Sequence, residues 1–154
     1  KAKKWNLDPA KVGVMGFSAG GHLAASASNI PAIEDRPNYS ILFYPVLTAG
    51  DFNTHKGSFR NLLGRTHTES EADEWSLEKR VTETTPPTLL ILSDDDRTVP
   101  AAGAAEYYAA LRYHGVKASM HIFPFGGHSV KKHTAEYQPL VLDWFRYLGM
   151  IGEK

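Results

Sequence analysis

The chain has 154 residues, 42% of them hydrophobic and 11% aromatic, enough for one globular domain with a buried core. Seventeen basic residues offset seventeen acidic ones and no Lys/Arg stripe stands out, so composition lends no electrostatic support to a nucleic-acid or anionic-membrane partner. No apolar run approaches the roughly 20 residues of a membrane-spanning helix, no signal-peptide core follows Lys1-Ala2-Lys3-Lys4, and the lack of cysteine excludes disulfides and thiolate ligands while leaving the compartment open.

Lys11 to Phe17, apolar from Val12 to Met15, reads as a strand, and Ala19 to Asn29 as a helix of small residues able to lie close on a sheet. Between them stands Gly16-Phe17-Ser18-Ala19-Gly20. Gly-x-Ser-x-Gly at a strand–turn–helix junction is the pattern of a nucleophile elbow. A serine hydroxyl is a weak nucleophile, and the sharp turn lifts Ser18 clear of the sheet beside the Ala19 N–H, which can stabilise an oxyanion. Gly16 and Gly20 are expected to be required because the strand and helix backbones approach closely there. A phosphate-cradling loop is the competing reading, but neither Gly-x-Gly-x-x-Gly nor a lysine before the serine is present. His22 is expected to pack or hydrogen-bond on the elbow helix.

Tyr39 to Tyr44 forms a second strand, ended by Pro45. A long polar excursion follows, containing Asp51-Phe52 and the amphipathic piece Ser58 to Gly64, expected to be a helical cap. Glu69 to Ser76, acidic at its start, is a further short helix, and Thr84-Thr85-Pro86-Pro87 punctuates the approach to the buried strand Thr88 to Leu92. Asn38-Tyr39-Ser40 is formally a glycosylation acceptor, but it abuts a strand and is discounted. Ala101 to Tyr113 has helical spacing, Lys117 to Phe123 alternates as a strand, and Glu136 to Leu148 is an amphipathic helix. Tyr107, Tyr108 and Tyr113, with Trp5, Trp75 and Trp144, read as core and boundary aromatics rather than a sugar-stacking platform.

This βα unit, repeated four times, predicts a single α/β domain over residues 1–154, with four parallel strands joined by right-handed crossovers. Catalytic groups in such sheets gather at the carboxyl edge. Ser18 follows the first strand there. Asp96, in Asp94-Asp95-Asp96-Arg97-Thr98-Val99-Pro100, follows the third, and His128, in Phe125-Gly126-Gly127-His128, follows the fourth. Ser, Asp, His is the chain order of α/β-hydrolases. Ser18 would attack an acyl carbonyl, His128 would take its proton and return it to the leaving alcohol, and Asp96 would hold the imidazole tautomer. The three aspartates lack the glycine and glutamate positions of a calcium loop, so neither a metal nor a cofactor is expected. His55, His67, His114 and His133 read as surface or loop residues, and His121 alternates with its strand.

The chain resembles the α/β-hydrolase superfamily, and within it bacterial acetyl esterases, including acetylxylan-esterase-like proteins. The resemblance rests jointly on Gly13-Val14-Met15-Gly16-Phe17-Ser18-Ala19-Gly20-Gly21-His22-Leu23-Ala24, Thr85-Pro86-Pro87-Thr88, Asp96 to Pro100, and Ile122 to His128. In that family the acid lies three residues before the valine of Val-Pro, which selects Asp96 and leaves Asp94 and Asp95 as solvated loop carboxylates. The resemblance implies a serine esterase removing short acyl groups, acetyl above all, with carbohydrate esters such as acetylated xylan as substrates. A prolyl-oligopeptidase-like peptidase shares the triad order and is one alternative. A catalytically weak or inert half-domain is another.

Family members carry several strands and a glycine-rich oxyanion loop ahead of the nucleophile strand, whereas about a dozen residues precede it here. The resemblance therefore implies a three-layer sandwich with a parallel sheet of about four strands, half of an α/β-hydrolase fold without its N-terminal strands. The second oxyanion donor normally comes from that loop, and losing one donor costs on the order of 10²–10³ in rate. The nucleophile strand would also become an exposed edge, and exposed edges recruit partners. A homo-oligomer in which a second copy covers that edge is expected.

Overall fold

Four short strands, β1 (Val14–Phe17), β2 (Ser40–Phe43), β3 (Thr88–Ser93) and β4 (Ala118–Phe123), lie side by side in chain order and all parallel. They come from a computed structural model that describes residues 2–50 and 53–152, so Asp51 and Phe52 of the expected excursion lie outside the described residues. Every residue of β2 and β3 is buried, as befits parallel strands covered on both faces, and the runs Ser-Ile-Leu-Phe and Thr-Leu-Leu-Ile-Leu-Ser supply the apolar side chains this needs. Registers run straight across the sheet: Phe17 stands beside Phe43, and Phe43 beside Ile91.

Among the described residues six α-helices complete the fold: α1 (Ala2–Trp5), α2 (Ala19–Ser28), α3 (Lys56–Leu63), α4 (Glu69–Glu74), α5 (Ala101–Tyr113) and α6 (Thr134–Tyr147). Side chains alternate across a strand, so each face of the sheet has its own core. Leu42, Leu90 and Leu92 meet Ala24 and Ala25 of α2 and Ala104, Tyr107 and Leu111 of α5. Ile41, Phe43, Leu89 and Ile91 meet Trp144 of α6, with Tyr137, Val141 and Phe145 around it. The result is the three-layer α/β sandwich that the resemblance implies, around the four parallel strands that the alternation of elements predicts. A smaller cluster of Val46, Phe59, Ala72 and Val99 lies under the α3–α4 excursion. Thr68 and Glu71 close a capping box at the start of α4, which explains why that short acidic piece is helical.

Several boundaries differ from expectation. β1 starts at Val14, not Lys11, because the Asp8 carboxylate accepts the Ala10 N–H at 2.9 Å and a 3₁₀ turn over Pro9–Lys11 takes the preceding residues. Asn38 Oδ1 accepts the Val12 N–H at 3.0 Å, a structural use of the residue in the discounted glycosylation triplet. Helix α6 begins at Thr134, earlier than Glu136, and accommodates Pro139 within it. Tyr107 and Trp144 are core residues as expected, whereas Trp5 is exposed and Tyr113 is 87% exposed. His133, read from sequence as a surface or loop residue, lies in the connection between β4 and α6 but is buried: its ring stacks on Phe123 and Nε2 bonds the Phe125 carbonyl at 2.5 Å.

Among the described residues β1 is an edge of the sheet. Met15 and Phe17 are each about half exposed on it, beside a hollow of about 430 Å³ lined also by Phe43, Tyr137, Val141 and Leu142.

Candidate active site

The elbow is built by close backbone approach. A Cβ on Gly16 would stand 2.2 Å from the Gly20 carbonyl oxygen, so only glycine lets α2 start directly above the end of β1. Gly20 differs from expectation: among the described residues nothing lies within 4 Å of the Cβ it lacks. Its backbone carbonyl, not the space for a side chain, makes the approach. Gly21 is the second crowded position, with Pro45 Cβ 2.6 Å from where its own Cβ would be.

Ser18 has φ 54° and ψ −123°, a conformation that costs a non-glycine residue about 1–3 kcal/mol and persists only where the surroundings over-determine it. They do so here. The Ser18 N–H donates to the Phe43 carbonyl at 3.0 Å, and the Ser18 carbonyl accepts from Gly21 at 2.9 Å and Val46 at 3.1 Å. The turn is thereby pinned to the end of β2 as well as to its own helix. Ala19 opens α2, so its N–H has no intrahelical acceptor.

Ser18 Oγ lies 2.7 Å from His128 Nε2, and His128 Nδ1 lies 2.7 Å from Asp96 Oδ2. The three residues, separated by up to 110 positions, form one continuous hydrogen-bonded chain. Asp96 is buried, and its other oxygen accepts the Thr98 and Val99 N–H groups at 2.8 and 3.0 Å. Those two donors fix the carboxylate and leave Oδ2 for the imidazole. With Asp96 ionised, Nδ1 carries the proton and Nε2 is free to accept from the serine hydroxyl.

Other residues around the imidazole are not evident from sequence. Tyr44, directly after β2, places its ring edge-on to His128 at 4.9 Å between centroids. It does so with φ 35°, a second strained non-glycine backbone beside the site. Its hydroxyl is held above the ordinary phenol pKa, first by burial, then by Tyr137 and the Asp96 carboxylate. Its position at the end of a strand, shared with Ser18, is the signal that could have marked it. Asp94 and Asp95 are both exposed, as expected of solvated loop carboxylates, and Asp95 in addition accepts the Gly127 N–H at 2.7 Å. Ser93 Oγ donates to the Ser129 carbonyl at 3.1 Å.

On the α2 flank, a cavity of about 410 Å³ is lined by Ala19, His22, Leu23, Phe59, Leu62 and Trp75. His22 hydrogen-bonds there as expected, Nε2 to the Trp75 carbonyl at 3.0 Å. Burial lowers its pKa below 6.5, Arg80 lowers it further, and the Trp75 carbonyl opposes both. His55 instead caps α3, its Nδ1 accepting the Ser58 N–H at 3.2 Å. Among the described residues no group of three or more His, Asp or Glu side chains could hold a metal ion.

Residues 1–149 match the prolyl oligopeptidase family. An acetylxylan esterase of Xylanibacter ruminicola is 39% identical over 153 residues, covering 95% of this chain and 29% of that protein. Endo-1,4-beta-xylanase B of Butyrivibrio fibrisolvens is 36% identical over 147 residues, 88% of this chain and 23% of the relative. Among solved structures, the acetyl ester-xyloside bifunctional hydrolase from Caldicellulosiruptor lactoaceticus superposes with a TM-score of 0.89 at 35% identity, over 97% of this chain and 61% of that one. The carboxylesterase Cest-2923 from Lactobacillus plantarum shares the fold, with a TM-score of 0.81 at 23% identity over 99% of this chain and 64% of that one. The chain thus spans 29% or less of the length of these two curated relatives.

Proposed function

The chain belongs to the prolyl oligopeptidase family of α/β-hydrolases, and from that membership and the site geometry we propose that it is a serine esterase acting on short acyl esters, acetyl above all. The observation that carries this reading is the 2.7 Å contact of Ser18 Oγ with His128 Nε2 while Nδ1 is held by Asp96. Ser18 Oγ attacks the ester carbonyl as its proton passes to Nε2, and Asp96 stabilises the imidazolium. Collapse of the tetrahedral intermediate breaks the ester C–O bond, and the alcohol departs with the proton from Nε2. Water then adds to the acyl-enzyme by the same route, releasing the acid and restoring Ser18. The Ala19 N–H supplies one oxyanion donor in both steps. Acetylated carbohydrate is the proposed substrate class, supported by relatives named for acetylxylan and for an acetyl ester-xyloside activity.

The test is hydrolysis of p-nitrophenyl acetate by the chain and by Ser18→Ala at matched concentration. A rate well above the variant is expected. Equal rates would overturn the reading and leave an inert half-domain. The family's description favours a second reading, peptide hydrolysis. A proline-containing peptide cleaved in preference to the acetyl ester would establish it.

We further propose that a second copy of the chain lies against β1. Among the described residues its edge carries no neighbouring strand, and an edge of that kind, flanked by half-exposed Met15 and Phe17, offers backbone groups and apolar area together. Sedimentation equilibrium is expected to show a dimer that Met15→Lys weakens. A monomer at all concentrations would rule it out.

A further inference from the structure

We propose that Asp95 is a positioning residue for His128, an inference that rests on the esterase reading above. A general base contributes only when held to within about 0.5 Å of its productive place. The local sequence around His128 works against this, because Gly126 and Gly127 precede it with φ of 151° and 63°, in the region that glycine enters freely. Within the turn the Ser129 N–H donates to the Gly127 carbonyl at 2.7 Å across His128. The end of β3 and the loop after it hold the turn from outside.

Asp95 Oδ1 accepts the N–H of Gly127, the residue before His128, at 2.7 Å. Ser93 Oγ donates to the carbonyl of Ser129, the residue after it, at 3.1 Å. His128 is therefore anchored on both sides to the segment that also carries Asp96. A bond from an ionised carboxylate to a backbone N–H is charge-assisted and roughly twice as strong as a neutral one, so Asp95 is the firmer anchor. Acid and base consequently move as one body, and the 2.7 Å bond between Asp96 and His128 is kept by a neighbour that touches neither ring nor substrate. Asp95 is itself exposed, so its removal leaves the core intact.

The experiment compares the chain with Asp95→Ala and Asp95→Asn. The alanine variant loses the acceptor, and kcat on p-nitrophenyl acetate is expected to fall by about 10- to 10²-fold, with KM changed by less than about twofold. The asparagine variant keeps an acceptor oxygen and is expected to recover to within about threefold of the parent. A second readout is independent of turnover: the low-field proton resonance of the His128 Nδ1–H bonded to Asp96, expected sharp in the parent and in Asp95→Asn, and broadened or lost in Asp95→Ala while circular dichroism stays unchanged. An inactive parent would defeat the esterase reading, and the resonance would still decide the role of Asp95. Parent-like kcat and resonance in Asp95→Ala would overturn the inference, as would an asparagine variant as impaired as the alanine one.

Discussion

His22 Nε2 lies 3.0 Å from the carbonyl oxygen of Trp75, so the helix that follows Ser18 is tied to the end of the α3–α4 excursion through a buried imidazole. The ring also meets Phe59 edge-on and Trp75 at a tilt, so this bond sits within an aromatic junction. Burial, the largest influence on its pKa, disfavours the charged ring, and the neutral form can donate its Nε2 proton to the carbonyl.

That junction predicts acid sensitivity. The folded pKa of His22 lies below 6.5, so in acid the unfolded chain binds a proton that the folded chain resists. Stability is therefore present above pH 6.5 and declines as the pH falls through it towards the lowered folded value. Urea unfolding on either side of that pH is expected to show the decline, and His22→Gln, which retains a donor without a titrating ring, is expected to flatten it. A steeper decline in the variant would contradict the assignment.

The two elbow glycines are predicted to respond oppositely. Gly16→Ala drives a Cβ to 2.2 Å from a backbone carbonyl that cannot swing away, and a loss of about 3 kcal/mol or more is expected in chemical denaturation. Gly20→Ala meets nothing within 4 Å among the described residues, and a gain of about 0.5–1 kcal/mol from helix propensity is expected. Equal losses at both positions would show that the approach of β1 and α2 is not what requires glycine.

Asp96→Asn separates charge from position. The amide oxygen can keep the Thr98 and Val99 N–H bonds, so the loop should hold, but an amide NH₂ facing Nδ1 favours the wrong imidazole tautomer. A fall in kcat on the order of 10⁴ is expected, with an unchanged thermal unfolding midpoint. Activity near that of the parent would remove Asp96 from the proposed mechanism.

Tyr107 offers a test remote from the site. Its buried hydroxyl, with a pKa pushed up to about 12 chiefly by burial, accepts from Asn29 Nδ2 at 3.0 Å, and Asn29 Oδ1 accepts from Thr85 at 2.8 Å. Asn29 keeps its 2.7 Å bond to the Ala25 carbonyl when the hydroxyl is gone, so Tyr107→Phe is expected to cost only about 1 kcal/mol in urea unfolding. A cost several times larger would mean that the network acts as one unit.

Strands, helices and the Ser18–Asp96–His128 chain were legible before folding because each signal is local. Apolar periodicity marks an element, and glycine or proline chemistry marks its end. A reactive side chain just past a strand's last residue must sit at the carboxyl edge of a parallel sheet. Lys11 shows the limit: its run looks strand-like, yet the Asp8 cap and Pro9 turn the chain first. His133 shows another, since nothing near it in sequence says that Phe123 will supply a stacking surface 4.2 Å away.

By itself, then, the sequence determined the four βα units, the elbow, and which three side chains would meet at its edge, since periodicity and turn stereochemistry act over a few residues. Only the tertiary structure decided that Asp95 would hold Gly127 across 32 positions, that Tyr44 would wall the imidazole, and that the Gly20 carbonyl rather than its missing side chain sets the elbow. The first two contacts join loops from different strands and depend on strand order and register, which no local pattern encodes, and the third depends on how closely α2 is laid over the end of β1.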